Sequence, residues 1–254
     1  MNPVAFTIFG FDVYYYGLVY ALGFVFTYAF LYWQVKQKHF KITVEQLDSL
    51  FIYLILGVVV GGRVGEFIFW QPQTLFSDPL AIFRIWEGGM AFHGGVLGVA
   101  VALYLYCKKY KVHFYDISDR LVIPASITLA FGRFANFING ELPGTVTNAS
   151  IGVNFRGETT AEGTPVFRHP VQLYAVVKNS VMALILYLES KRKQKRGYLT
   201  WLFVGIYGLF RFVVNFWRED ILWFFGILST GQVLSFAMLI LAGIVLYNNY
   251  WRKP

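Results

Sequence analysis

Apolar runs of about twenty residues recur along this chain, and they restrict its fold more than any other feature. A helix of that length crosses the roughly 30 Å hydrocarbon core of a bilayer. Lipid offers no hydrogen-bond partners, so a spanning segment must satisfy its own backbone, which favours helix. Hydropathy predicts seven spans, at about 13–35, 49–70, 88–107, 117–138, 169–188, 198–217 and 229–249. Only 14% of the residues are charged, against ~25% in soluble proteins. The expected fold is therefore all-α: one polytopic membrane helix bundle over residues 1–254. The N-terminus lacks a basic stretch before its apolar run and reads as a retained first span.

Lysine and arginine outside the spans set the orientation. Thirteen fall in the segments after spans one, three, five and seven, and four (Arg84, Arg156, Arg168, Arg218) in the alternate segments. The positive-inside rule then places the N-terminus outside and the C-terminus in the cytoplasm. The net charge of +8 follows from this loop bias, so nucleic acid is not an expected partner. Residues 139–168, rich in Gly, Thr and Asn, form the longest segment outside the membrane and are expected to hold a short hairpin. Residues 71–87 are expected to include an interfacial helix, with Phe83 and Trp86 at headgroup depth. Cys107 is the single cysteine, so no internal disulfide forms.

Ionisable residues inside spans mark function by default, and here they collect in the outer half of the bilayer. The densest block runs from Gly132 to Gly144, with Arg133, Asn136, Asn139 and Glu141. Arg133 and Arg211 lie at similar depth on different spans and are suited to grip one phosphate, because the guanidinium fork matches phosphate oxygens. The alternative is that they snorkel or pair with Glu66 and Glu141. His93, followed by Gly94 and Gly95, is a candidate general base or hydrogen-bond donor, and the glycines allow close approach by a ligand or a helix. Asn136, Asn139 and Glu141 are placed to orient a substrate, although Asn139-Gly140 and Pro143-Gly144 are also helix-ending turn chemistry. Arg63 and Glu66, spaced i, i+3, are expected to pair on one helix face. Asp119 is expected to cap a helix. Gly57, Gly61 and Gly65, like Gly94 and Gly98, read as helix-packing faces. Lys178 receives no role. His39, His93, His113 and His169 do not have metal-ligand spacing, so neither a metal nor a cofactor is expected. There is no phosphate-binding glycine loop ending in Lys-Ser/Thr and no serine nucleophile elbow.

The Gly132–Gly144 block resembles the signature of the prolipoprotein diacylglyceryl transferases, bacterial inner-membrane enzymes. The resemblance extends from about Tyr16 to about Asp220. It includes Tyr16-Gly17, Gly62-Arg63, Phe92-His93-Gly94-Gly95, Asp119, His169-Pro170, Gln172-Leu173-Tyr174, Tyr207-Gly208 and Arg211-Phe212. It implies attack by the lipobox cysteine of a prolipoprotein signal peptide on phosphatidylglycerol, forming a thioether and releasing glycerol 1-phosphate. It also implies that His93, Arg133, Arg211, Glu141 and Tyr16 serve the chemistry, while Asn136, Asn139, Gly144, Tyr207, Gly94 and Gly95 hold substrate with Arg133. Two positions depart from the family pattern. Asn215 stands where an acid usually follows the span-six arginine by four residues, and Ala175 where an acid usually follows the span-five tyrosine. A catalytically impaired homologue and a lipid- or anion-binding transporter are the alternatives.

Overall fold

The computed structural model describes residues 4–8, 11–85, 88–219, 222–224 and 226–252, without the side chains of 11–14, 16, 20, 92, 93 and 222–224. The fold is helical. Helices α1 (Tyr15–Lys36), α2 (Val44–Phe69), α3 (Pro72–Ser77), α4 (Phe92–Tyr110), α5 (Phe114–Asn139), α6 (Val171–Ser190), α7 (Tyr198–Val214) and α8 (Thr230–Leu246) follow in order. Among the described residues, six helical segments are long and apolar enough to cross a membrane, built on α1, α2, α5, α6, α7 and α8. Two antiparallel ribbons accompany them, β1 (Val4–Ile8) with β2 (Phe11–Tyr14), and β3 (Leu222–Phe224) with β4 (Leu228–Ser229).

Local chemistry sets several helix ends. Thr43 opens α2 with a capping box: its hydroxyl accepts from the Gln46 amide at 3.2 Å, and its own amide donates to Gln46 Oε1 at 2.9 Å. Ser229 and Gln232 repeat the device at α8. Residues 71–87 contain α3 and a 3-10 turn at Pro79–Phe83, and the expected interfacial Phe83 is exposed; Trp86 lies outside the described residues. In 139–168 the backbone folds back between Val153 and Arg168 as a short, interrupted hairpin, with antiparallel bridges Val153↔Arg168 and Thr159↔Pro165. The Val166 amide donates to Glu158 O at 2.9 Å and the Thr160 amide to Thr164 O at 2.8 Å.

The chain forms two compact units. In the unit of residues 31–117, α2 packs on α4 through glycine. A Cβ at Gly57 would lie 2.8 Å from Gly98 O, and one at Gly65 would lie 2.6 Å from Gly94 Cα. Only a residue without a side chain permits that backbone approach. Tyr106 donates to Gln46 O at 2.9 Å and Tyr110 to Ser49 Oγ at 2.8 Å, tying the same two helices.

Arg63 corrects a sequence expectation. It does not pair with Glu66 in any ion pair among the described residues. Its guanidinium, 5% exposed, donates to the carbonyls of Ala81 (2.7 Å), Ile82 (3.1 Å), Arg84 (2.7 Å) and Gly89 (2.9 Å), and to that of Gly88. Glu66 instead accepts from Gln71 at 3.2 Å. Ala81 O also accepts from the Arg84 amide at 3.1 Å, and the five-donor fork reaches all five loop carbonyls together, more acceptors than the Glu66 carboxylate could offer it.

In the unit of residues 1–30 and 118–254, Val122 and Ile123 of α5 pack with Met182 and Leu186 of α6 and Leu199 of α7. Asp119 caps a helix, as expected, but the helix is α7 rather than its own. Its carboxylate accepts from the Gly197 amide at 2.7 Å, the Thr200 amide at 2.8 Å and the Thr200 hydroxyl at 2.5 Å. Gly208 of α7 seats on α8, where a Cβ would lie 2.7 Å from Ser235 O.

Arg168 gathers the connection between α5 and α6. Its Nε and Nη2 donate to the two Glu158 oxygens at 2.7 and 2.8 Å, and its Nη1 to Glu219 at 2.8 Å and Gly144 O at 3.3 Å. The hydrogen bond from Arg168 holds the Glu158 carboxyl below the usual carboxylate range. A lowered folded-state value stabilises fully above the unfolded value, roughly 4.3, and is lost as pH falls through the folded value.

Two outcomes follow from these arrangements. Arg63→Met is expected to cost about 3 kcal/mol and to release amide-exchange protection over residues 78–85 and 88–90, because five carbonyls lose the guanidinium that gathers them. Arg63→Lys should recover only part of this, an ammonium having three donors. On acidification from pH 6 to about 3, across the unfolded value and toward the lower folded one, the wild-type melting midpoint is expected to fall further than that of Glu158→Gln. Equal slopes would show that the Arg168–Glu158 pair does not carry the acid sensitivity.

Candidate functional site

The end of α5 supplies the first part of the site. Arg133 and Asn136 stand one turn apart, and Arg133 Nη1 donates to Asn136 Oδ1 at 3.3 Å. Asn136 Nδ2 donates to Glu141 Oε2 at 2.9 Å, and Asn139 Nδ2 to Glu141 Oε1 at 3.0 Å. The chain folds back because Gly140 takes a left-handed turn (φ 65°), after which the Glu141 amide reaches Asn136 O at 2.9 Å. Gln172 Nε2 then donates to Glu141 O at 2.6 Å, so α6 is tied to the same turn. The Glu141 carboxylate is thereby fixed by two amides, and the Arg133 guanidinium is connected to it through Asn136.

The second part is a cleft walled by three helices. Leu129 and Arg133 come from α5, and Gln172, Ala175, Lys178 and Asn179 from α6. Tyr207, Arg211 and Val214 come from α7, followed by Asn215 and Arg218 just past its end. These positions recur at helical spacing, so each helix turns one continuous face to the cleft. Four cations line it (Arg133, Lys178, Arg211 and Arg218), and among the described residues no carboxylate does. Lys178 donates to Asn179 Oδ1 at 3.1 Å and lies 4.8 Å from the centre of the Tyr207 ring. Tyr207 stacks on Phe203 with centroids 5.8 Å apart. Such a wall attracts an anion, and two planar guanidiniums favour phosphate oxygens.

Polar groups at the margin hold these walls in place. Gln172, 2% exposed, has an Oε1 with no hydrogen-bond partner, and so has Asn139 at its Oδ1. Asn215 is buried and donates from Nδ2 to Ser229 Oγ at 3.2 Å, within the cap of α8. His169 and Tyr174 share a hydrogen bond of 2.9 Å beside Trp217.

Of the residues singled out in the sequence, Arg133, Tyr207 and Arg211 meet on the cleft, and Asn136, Asn139 and Glu141 form the hydrogen-bonded chain behind Arg133. Gly144 does not line the cleft. Its amide donates to His169 O at 2.9 Å, and a Cβ there would lie 2.5 Å from Trp217 O, so it fills a crossing of backbones. Gly94 packs against Gly61 and Gly65 within the other unit, and the nearest atom to a Cβ at Gly95 is Val58 O, 3.8 Å away. The side chains of Tyr16 and His93 lie outside the described residues. Lys178 and Arg218 carry no site role in the sequence reading; Lys178 falls in helical register three after Ala175, whereas Arg218 follows the 3-10 turn Asn215–Trp217 in extended backbone and reaches the cleft only through the fold.

A family model described as prolipoprotein diacylglyceryl transferase matches residues 3–248. The chain is similar to the phosphatidylglycerol–prolipoprotein diacylglyceryl transferase of Rickettsia bellii (strain OSU 85-389), 39% identical over 248 residues that cover 95% of this chain and 92% of the relative. It is 38% identical over 245 residues to that of Geobacter sulfurreducens, covering 95% and 92%. It is 37% identical over 258 residues to that of Legionella pneumophila (strain Lens), covering 100% and 97%. With its arginines gathered on one cationic cleft and the likeness running end to end, the chain belongs to the prolipoprotein diacylglyceryl transferase family.

Proposed function

We propose that this chain transfers the diacylglyceryl group of phosphatidylglycerol to the lipobox cysteine of prolipoproteins, the first step of bacterial lipoprotein maturation. The observation that carries the reading is the cleft lined by Arg133, Lys178, Arg211 and Arg218 without a carboxylate among the described residues. The reaction suits it. The cysteine thiolate forms a bond to the terminal glycerol carbon, the bond from that carbon to the phosphate oxygen breaks, and its electron pair leaves on glycerol 1-phosphate. A phosphodiester monoanion thus becomes a monoester dianion, and cations fixed around it stabilise the developing charge. Arg133 and Arg211 grip the phosphate. The free Gln172 Oε1 suits a headgroup hydroxyl.

A thiol with a pKa near 8.5 is only a few per cent ionised at neutral pH, so a base assists. His93 is that base in this reading, with Glu141 and Tyr16 as the further candidates. Both Glu141 oxygens already accept amide hydrogen bonds, which favours an orienting role over proton transfer. Seven spans, with the N-terminus outside and the C-terminus in the cytoplasm, set the enzyme in the bacterial inner membrane as one transferase domain. There the signal peptide presents its cysteine to outer-leaflet lipid.

The test is transfer by the purified protein in detergent, with phosphatidylglycerol and a lipobox peptide, read by mass spectrometry. A diacylglyceryl adduct that disappears with a Cys→Ser peptide is expected. Arg133→Ala and Arg211→Ala should each lower turnover by about 100-fold or more with the fold intact. No adduct from a folded protein, beside an active relative, would favour the impaired homologue. Asn215→Glu and Ala175→Glu would then be the first reversions.

A further inference from the structure

Lys178 belongs to no motif that points to the family, yet it stands on the cleft face of α6, one turn past Ala175. The neighbours of its ammonium, Asn179 Oδ1 and the Tyr207 ring, are both neutral. It also interacts electrostatically with Arg133 and Arg211. All three line one cleft in an apolar helix layer, where like charges repel and a bound anion relieves the repulsion. Ala175 and Asn215, where the family pattern carries acids, line the same cleft. An acid at either position would have served as a resident counter-ion, and this chain has neither. The cleft therefore combines an extra cation with two neutral residues at the acidic positions.

We propose that Lys178 is a third cationic ligand of the phosphate in this cleft, and that it holds the glycerol phosphate dianion as that group leaves. The proposal rests on the transferase reading above and extends it to a residue particular to this chain. As the bond from carbon to phosphate oxygen breaks, the charge facing Lys178 rises from one to two. Its contact therefore strengthens along the reaction and is felt more in turnover and product affinity than in affinity for intact lipid.

The test compares wild type with Lys178→Met and Lys178→Arg, purified in detergent. One readout is transfer kinetics at varied phosphatidylglycerol. The other is calorimetric binding of glycerol 1-phosphate without peptide, with inorganic phosphate and phosphatidylglycerol nanodiscs as further titrants. Lys178→Met is expected to weaken glycerol 1-phosphate and inorganic phosphate about tenfold and to lower kcat about tenfold, the scale of one charge-assisted contact. KM and nanodisc affinity should move less than about threefold, and Lys178→Arg should stay near wild type throughout because the charge is kept.

Unchanged phosphate affinity in Lys178→Met would overturn the proposal, as would a wild type that binds no glycerol 1-phosphate. An equal loss in Lys178→Arg would assign the effect to side-chain shape and overturn it too. A matching loss of nanodisc affinity would place Lys178 on the intact lipid and overturn the leaving-group assignment. The two readings fail separately. A wild type that binds glycerol 1-phosphate through Lys178 but forms no adduct removes the transferase reading, whereas adduct formation with normal binding by Lys178→Met removes only this proposal.

Discussion

A charge placed in hydrocarbon must find its compensation inside the protein, and the structure answers that demand in two opposite ways. Arg63 spends all five of its donors on loop carbonyls and has none left for a ligand. Arg133, Lys178 and Arg211 instead turn toward a cleft whose described lining has no carboxylate. The same chemistry that completes a loop in one unit leaves an electrostatic demand for an anion in the other. In the proposed reading a phosphate meets it, through charge and through the fit of its oxygens to guanidinium forks.

The cleft depends on a rigid surround. Glu141 receives both asparagines of the signature, Gln172 ties its carbonyl to α6, and Asp119 fixes the start of α7. The three wall helices are thus coupled by part-buried hydrogen bonds at both the signature turn and the α7 cap. Such bonds are worth more in a low dielectric than at a wet surface, so they hold geometry as well as stability. Gly144 contributes differently. By having no side chain it lets the segments carrying His169 and Trp217 approach, and these lead directly into α6 and out of α7.

Much of this was legible in the chain. Hydropathy located the long helices to within several residues, because a membrane span needs only length and apolarity, both local properties. The glycine ladders of α2 and α4 were legible for the same reason, since small residues one turn apart lie on one face. Arg133, Asn136, Asn139 and Glu141 stood out because polar residues are costly in a span. The Arg63–Glu66 pair was misread because helical spacing names neighbours within a helix, and the carbonyls that recruit Arg63 lie some twenty residues further along. Lys178 was visible but had no meaning alone. A single lysine in a span reads as snorkelling until its surroundings are known.

The sequence by itself therefore determined the helical membrane class, the family and the list of polar residues that matter, since each follows from composition or from residues close along the chain. Only the tertiary structure decided which of those residues share a cavity and which are used up as scaffold. Arg63, Arg133, Lys178 and Arg211 are all cations on apolar helices in the sequence. What separates them is whether the groups facing them are carbonyls, an amide or an open cleft, and those groups come from segments distant in the chain. Electrostatic energy depends on distance through space, which the order of residues does not record.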